Sequence, residues 1–181
     1  MARRTIELVT ARAVAAEVMR RLRISPGGKK PAAFVVGSVR RGAPAPHDVD
    51  LLVVADLRRA GFAPARPTDR IVSFTARAAG SRRRELVVGW KVKNIGVKQI
   101  RVDLFGAKPA ELPWAMFALS SARAYQVRVR AVAARRGLRL NQYGLFDRRT
   151  GRMVPGAAKV KTERGVAAAV GVRWRPAAAR V

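Results

Sequence analysis

Residues 32–54 decide the fold: Ala32-Ala33-Phe34-Val35-Val36-Gly37-Ser38-Val39-Arg40-Arg41-Gly42, a loop through Pro44, Pro46 and His47, then Asp48-Val49-Asp50-Leu51-Leu52-Val53-Val54. One apolar run enters the first glycine and another leaves the aspartates, which predicts a strand, a phosphate-binding turn, a short helix and a second strand. Side chains two apart on a strand share a face and stand roughly 6.5–7 Å apart. Asp48 and Asp50 are therefore expected to aim at one place while Val49 enters the core. Carboxylates so placed can hold two metal ions about 3.5–4 Å apart, the arrangement that phosphoryl transfer uses.

The neighbouring residues suit the same chemistry. Gly37 lets the backbone approach a phosphate, and the Ser38 hydroxyl with the free amides of the helix start can bind phosphate oxygens. Arg41, one turn on, is placed to neutralise a leaving pyrophosphate. A third carboxylate is supplied by Gln99-Ile100-Arg101-Val102-Asp103-Leu104-Phe105, an alternating strand whose polar face carries Arg101 and Asp103. An adjacent strand would set Asp103 beside the pair, where it and the catalytic metal can draw the proton from an attacking hydroxyl.

Composition sharpens this reading. The chain has 38 Lys plus Arg against 11 Asp plus Glu, a net charge of +27 on 181 residues, so clustered carboxylates are not filler. Basic charge spread along the whole chain points to a polyanionic partner held through its phosphates, with strongly salt-dependent binding. A membrane partner is not expected: no long basic amphipathic segment carries large apolar residues, and no apolar run approaches the roughly 20 residues of a spanning helix. The chain has no cysteine, which excludes disulfides, zinc–cysteine sites and thiol catalysis and fits a reducing compartment. The expected location is intracellular: the cytoplasm, a virion or viral factory if the chain is viral, or the nucleus.

Before residue 32, Arg3, Arg4, Arg12, Arg20 and Arg21 give a composition similar to an organelle transit segment. The recurrence of Val14, Val18 and Leu22 after a Thr10 cap, ended by Gly27-Gly28, instead predicts a helix over 11–24 that covers one sheet face. The chain then reads as β to about residue 105, with a connection at 57–69, strands at 70–76, 84–91 and 98–105, and a basic loop Ser81-Arg82-Arg83-Arg84. From Gly106-Ala107-Lys108-Pro109 the pattern turns helical, over 110–119 and over 122–136, ended by Gly137. Arg123, Gln126 and Arg130 fall at i, i+3 and i+7 on one polar face of the second helix, with Val127, Ala131 and Ala134 nearer the packed side. A strand through Leu138, Leu140 and Tyr143, a turn at 147–152 and an Ala- and Arg-rich tail at 168–181 complete the chain, with no internal repeat.

These motifs resemble those of DNA polymerase family X, the polymerase beta group of nucleotidyltransferases. The resemblance runs through Gly37 to Gly42, Asp48-Val49-Asp50 and Arg101-Val102-Asp103, then Tyr125-Gln126-Val127-Arg128-Val129-Arg130-Ala131 and Leu140-Asn141-Gln142-Tyr143-Gly144-Leu145-Phe146. It implies an α+β chain: a nucleotidyltransferase palm over 1–106, a mixed β-sheet with helices on one face, followed by a small C-terminal helical/β domain over 107–181 that binds the nascent base pair. It further implies a template-directed, short gap-filling DNA polymerase acting as a monomer on a dNTP and primer-template or gapped DNA. Two Mg²⁺ ions, for which Mn²⁺ can substitute, would be held by Asp48, Asp50 and Asp103. Gly37, Ser38, Arg41, Leu119 and Ser120 would meet the nucleotide; Arg123, Gln126, Arg130 and Asn141 would meet DNA.

Only a short segment precedes the first strand, so no lyase activity is expected, and the positive charge is expected to take the place of a separate DNA-gripping domain. The family's Phe-Thr-Gly-Ser turn stands here as Leu119-Ser120-Ser121-Ala122 after Ala118, which puts sugar selection in question. Pro44, Pro46 and His47 stiffen a loop where relatives carry small polar residues. Two other readings share these motifs, a template-independent nucleotidyltransferase and a non-catalytic basic nucleic-acid-binding protein. Basic charge argues against a small-molecule acceptor, and three retained carboxylates, which would repel DNA without metals, argue against a non-catalytic role.

Overall fold

The computed structural model describes residues 5–25, 28–64, 66 and 70–181. The chain divides into two compact units, Met1–Gly106 and Ala107–Val181. Of the expected helix end at Gly27-Gly28, Gly27 lies outside the described residues, as does Pro67 of the expected connection.

The first unit begins with α1, Leu8–Arg21, whose buried stripe is Ala11, Val14, Ala15 and Val18. It starts a turn earlier than the expected Thr10 cap, because the Ala11 amide already donates to the Glu7 carbonyl at 2.9 Å. It also stops earlier: Leu22–Ile24 is a strand, β1, paired antiparallel with Ala60–Phe62. Leu22 is fully buried as a strand residue, and its apolar side chain fits the four-residue recurrence equally well, so that pattern did not show where the backbone straightens. Arg21 at the junction is buried and donates to the carbonyls of Ala63 and Ile71, stapling the helix end to the chain on either side of residues 65–69.

Strand β2, Ala33–Val36, runs into α2, Gly37–Arg41, and returns as β3, Val49–Val53. A single 3₁₀ turn at Leu57–Arg59 and β4, Ala60–Phe62, occupy the segment read from sequence as a connection. Three residues with a central glycine carry too little periodicity to be recognised. Then come β5, Ile71–Ala79, β6, Arg83–Val92, and β7, Gly96–Gly106. The expected basic loop contracts to a tight turn, with Gly80 donating to the Arg83 carbonyl at 2.9 Å, and Arg83 and Arg84 belong to β6.

The main sheet has the order β2-β3-β7-β6-β5, with β3 and β7 parallel and the other pairs antiparallel. Strand alternation divides its faces. Val49, Leu51 and Val53, Val102 and Leu104, and Leu86 and Val88 pack with Val14 and Val18 of α1 in one core. The intervening residues, Asp50, Asp103 and Glu85, lie in register on the other face.

The second unit opens with a 3₁₀ turn at Pro109–Glu111 and continues as α3, Leu112–Leu119, and α4, Arg123–Arg135. A hairpin of β8, Leu138–Asn141, and β9, Gly144–Asp147, follows. Tyr143 sits in the hairpin turn rather than in a strand, because the Asn141 side chain accepts from the Tyr143 amide at 2.9 Å and bends the chain there. Helix α5, Glu163–Val170, was not expected; Thr162 caps it, accepting from the Gly165 amide at 3.0 Å, and Gly171 ends it at φ 82°. Trp114, Phe117, Tyr125, Val129, Leu140, Leu145, Val166 and Val170 form this unit's core. The tail is fastened to it by Arg180, almost wholly buried, which donates to Glu163 at 2.7 Å while its carbonyl accepts from the Ala122 amide at 2.7 Å.

Candidate active site

Strand register assembles the acidic site. Asp50 on β3 is the direct partner of Asp103 on β7, and Asp48 lies just before β3 on the same face. Gly37 closes against them in the left-handed region, φ +65°, where a Cβ would stand 1.9 Å from Asp50 Oδ2. Only glycine fits there, because of both its φ and its contact with Asp50.

The carboxylates crowd one another. Asp50 is pushed up to about 7, first by burial, then by Asp48 and Asp103, with Arg101 and Arg41 pulling the other way. Asp103 is also raised, by burial first and by Glu85, against Arg83 and Arg101. Arg83 Nη2 donates to Asp103 Oδ2 at 3.3 Å, and Arg101 Nη2 donates to Asp48 Oδ2. Arg41 has its pKa lowered by burial, an effect that the charge of Asp50 opposes.

No group of three or more His, Asp or Glu side chains forms a ready metal cage among the described residues. Two of the three aspartates are turned to arginines instead. The donor set nevertheless fits a divalent cation: Asp103 Oδ1 is shielded from solvent with no hydrogen-bond partner, and the charges of Asp48 and Asp103 add to burial in raising the proton affinity of Asp50. The Ser38 hydroxyl at the start of α2 is likewise shielded and unpartnered. Asp50 thus has Asp48, Asp103, Gly37 and Arg41 around it, and Ser38 follows Gly37 at the start of α2.

In the second unit the expected site residues divide. Arg123 and Arg130 are exposed on α4, and Leu119 is half-buried. Ser120 is fully buried and presents no side chain to a ligand. Gln126 does not share the polar face of Arg123 and Arg130: it is 7% exposed and donates to the Phe117 carbonyl at 3.4 Å. The packed stripe is Tyr125, Val129 and Ala133, while Val127 and Ala131 are exposed. The helix is therefore rotated from its expected phase, since Tyr125 is the one large side chain with a core to fill. Asn141 is engaged in its own turn.

Sequence reasoning missed two groups. Glu85 and Arg83 flank Asp103 from β6, which only register reveals. Arg128, Arg173 and Arg175 line a hollow of about 420 Å³ with Tyr125, Val129, Val132 and Val172, and among the described residues no carboxylate lines it. Such a hollow suits a phosphate. Arginine is so frequent in this chain that composition gave no reason to single these out.

The chain matches known proteins over most of its length. The family described as DNA polymerase beta thumb matches residues 115–181. The Repair DNA polymerase X of African swine fever virus, Kenyan pig isolate, is 33% identical over 144 residues, spanning 78% of this chain and 77% of the relative. That of the Namibian warthog isolate is 34% identical over 142 residues, spanning 77% and 76%. The chain belongs to DNA polymerase family X. Leishmania infantum polymerase beta, whose structure is described as a ternary P/T complex, superposes with a TM-score of 0.70 at 18% identity, covering 98% of this chain and 77% of that one. The family X fold expected from the motifs, a mixed-sheet palm with a thumb-type unit, is thus the one observed. Family X enzymes generally use divalent metals.

Proposed function

We propose that this family X protein fills short gaps in DNA during repair, copying a template by transferring a nucleotide from a dNTP to a primer 3′-hydroxyl. The observation that carries the assignment is the pairing of Asp50 with Asp103 across parallel strands, with Asp48 two residues away, in a chain of net charge +27. Asp48, Asp50 and Asp103 would hold two divalent ions, Mg²⁺ or in its place Mn²⁺. When bound, these ions lower the pKa of the attacking hydroxyl and offset the charge of the triphosphate.

The chain's own groups supply the rest. Ser38 and the amides of α2 bind phosphate oxygens, and Arg41 neutralises charge on the leaving pyrophosphate. Asp103 Oδ1, unpartnered and shielded, is the acceptor for the primer hydroxyl's proton. The new bond joins the primer O3′ to the α-phosphorus as the α–β phosphoanhydride bond breaks. Arg123 and Arg130 on the exposed face of α4, and the arginines of the 420 Å³ hollow, meet DNA phosphates. The working unit is taken as a monomer. Extension of a templated primer, an untemplated end and a one-nucleotide gap, each with Mg²⁺ and with chelator, tests this reading. Metal-dependent incorporation set by the template base is expected, and incorporation independent of template would refute it.

A further inference from the structure

The aspartate pair is part of a longer acidic row. Register places Glu85 on β6 directly opposite Asp103, which in turn faces Asp50, so three adjacent strands carry carboxylates side by side on one face. The Glu85 side chain is half-buried and makes no hydrogen bond or ion pair among the described residues. On a surface that gathers phosphates, a fourth carboxylate repels DNA, so its presence calls for a cation nearby. That cation is Arg101, two residues from Asp103 along β7 and therefore diagonal to Glu85, at the ~7–8 Å that a long side chain bridges.

Arg101 now lies between two choices. Its Nη2 is bonded to Asp48, while its Nε, 3.9 Å from Asp103 Oδ2, is shielded and has no hydrogen-bond partner. Asp48 foremost, with Asp103 and Glu85 behind it, holds the guanidinium proton more firmly than usual against the effect of burial. Yet an arginine on Asp48 Oδ2 competes with a metal ion for the same oxygen. The geometry points to Glu85 as a positioning residue that draws Arg101 off Asp48 when a divalent ion binds, giving the guanidinium a second berth on the same sheet face. This inference rests on the reading of Asp48, Asp50 and Asp103 as the metal site.

The test is titration of the full chain with Mn²⁺ alone at constant ionic strength, following the free ion by its electron paramagnetic resonance signal. Wild type, Glu85→Gln, Arg101→Met and the double variant form a cycle, with Asp50→Asn alongside. Glu85→Gln is expected to weaken Mn²⁺ binding about tenfold, within the usual range of such couplings. Arg101→Met should bind more tightly than wild type, and on that background Glu85→Gln should change affinity by less than about twofold. Unaltered binding by Glu85→Gln would overturn the proposal. So would equal weakening on both backgrounds, because Glu85 would then act by its charge or as a ligand and not through Arg101. Weaker binding by Arg101→Met overturns it independently of any Glu85 variant. If Asp50→Asn binds Mn²⁺ like wild type, the metal-site reading itself has failed.

Discussion

Asp50 is the residue on which the protein's stability and its chemistry oppose each other. Its folded pKa of about 7 lies above the ordinary 3.8, so the metal-free folded chain holds this proton more tightly than the unfolded chain. That contribution to stability is complete at low pH and is lost as pH rises through the folded value, a change on the order of a few kcal/mol. Asp50→Asn removes the charge at every pH. The metal-free variant is therefore expected to melt several degrees above wild type at pH 8 and close to it at pH 4.5, by calorimetry in chelator. An equal difference at both pH values would show that the carboxylate is not the cause. The same substitution should leave duplex DNA binding intact or tighter, since it removes a negative charge from a phosphate-binding surface. The aspartates were legible because Asp-x-Asp on a strand needs only period two. The contact of Gly37 with Asp50 was not, because it depends on a backbone φ and on strand pairing.

Helix α4 shows what a local pattern leaves undecided. Arg123 to Arg135 contains valine and alanine on more than one face, and both the expected and the observed phase bury a plausible stripe. Only Tyr125, packed against Phe117 from the preceding helix, selects between them. Val129→Ala is accordingly expected to cost about 2 kcal/mol by denaturant melts, with Val127→Ala within about 0.5. The reverse order would restore the phase read from sequence. The α3–α4 turn carries a second prediction. Its Ser121 hydroxyl donates to the Phe117 carbonyl at 2.7 Å and Ser120 points inward, leaving Ala118 and Leu119 as the half-buried side chains. If this turn borders the sugar, as the family resemblance implies, a wall of Ala and Leu is a lower barrier to a 2′-hydroxyl than bulkier residues. In gap filling with matched deoxy- and ribonucleotides, kcat/KM is expected to favour the deoxy form by less than about a thousandfold, ~4 kcal/mol. A larger preference would place sugar selection elsewhere.

For the molecule as a whole, charge sets the mode of DNA binding. A net +27 makes affinity fall steeply with salt. Replacing Arg128, Arg173 or Arg175 with Ala should lower the slope of log affinity against log salt by about 1 if that side chain meets a phosphate, as fluorescence anisotropy across salt concentrations would show. An unchanged slope removes that residue from the interface. The overall architecture was legible because its strands alternate and its second half turns helical after Gly106-Ala107-Lys108-Pro109. Helix α5 and the clamp at Arg180 were not, because small alanines give a weak periodic signal and a buried arginine looks like any other in so basic a chain. The central claim is that Asp48, Asp50 and Asp103 make this a templated DNA polymerase. Its most direct test is single-turnover filling of a one-nucleotide gap in Mg²⁺ by wild type and Asp103→Asn, with DNA affinity measured in parallel. Wild type should insert according to the template base, and Asp103→Asn should lose about a thousandfold or more in rate at unchanged DNA affinity. A variant that fills the gap at close to the wild-type rate would contradict the account.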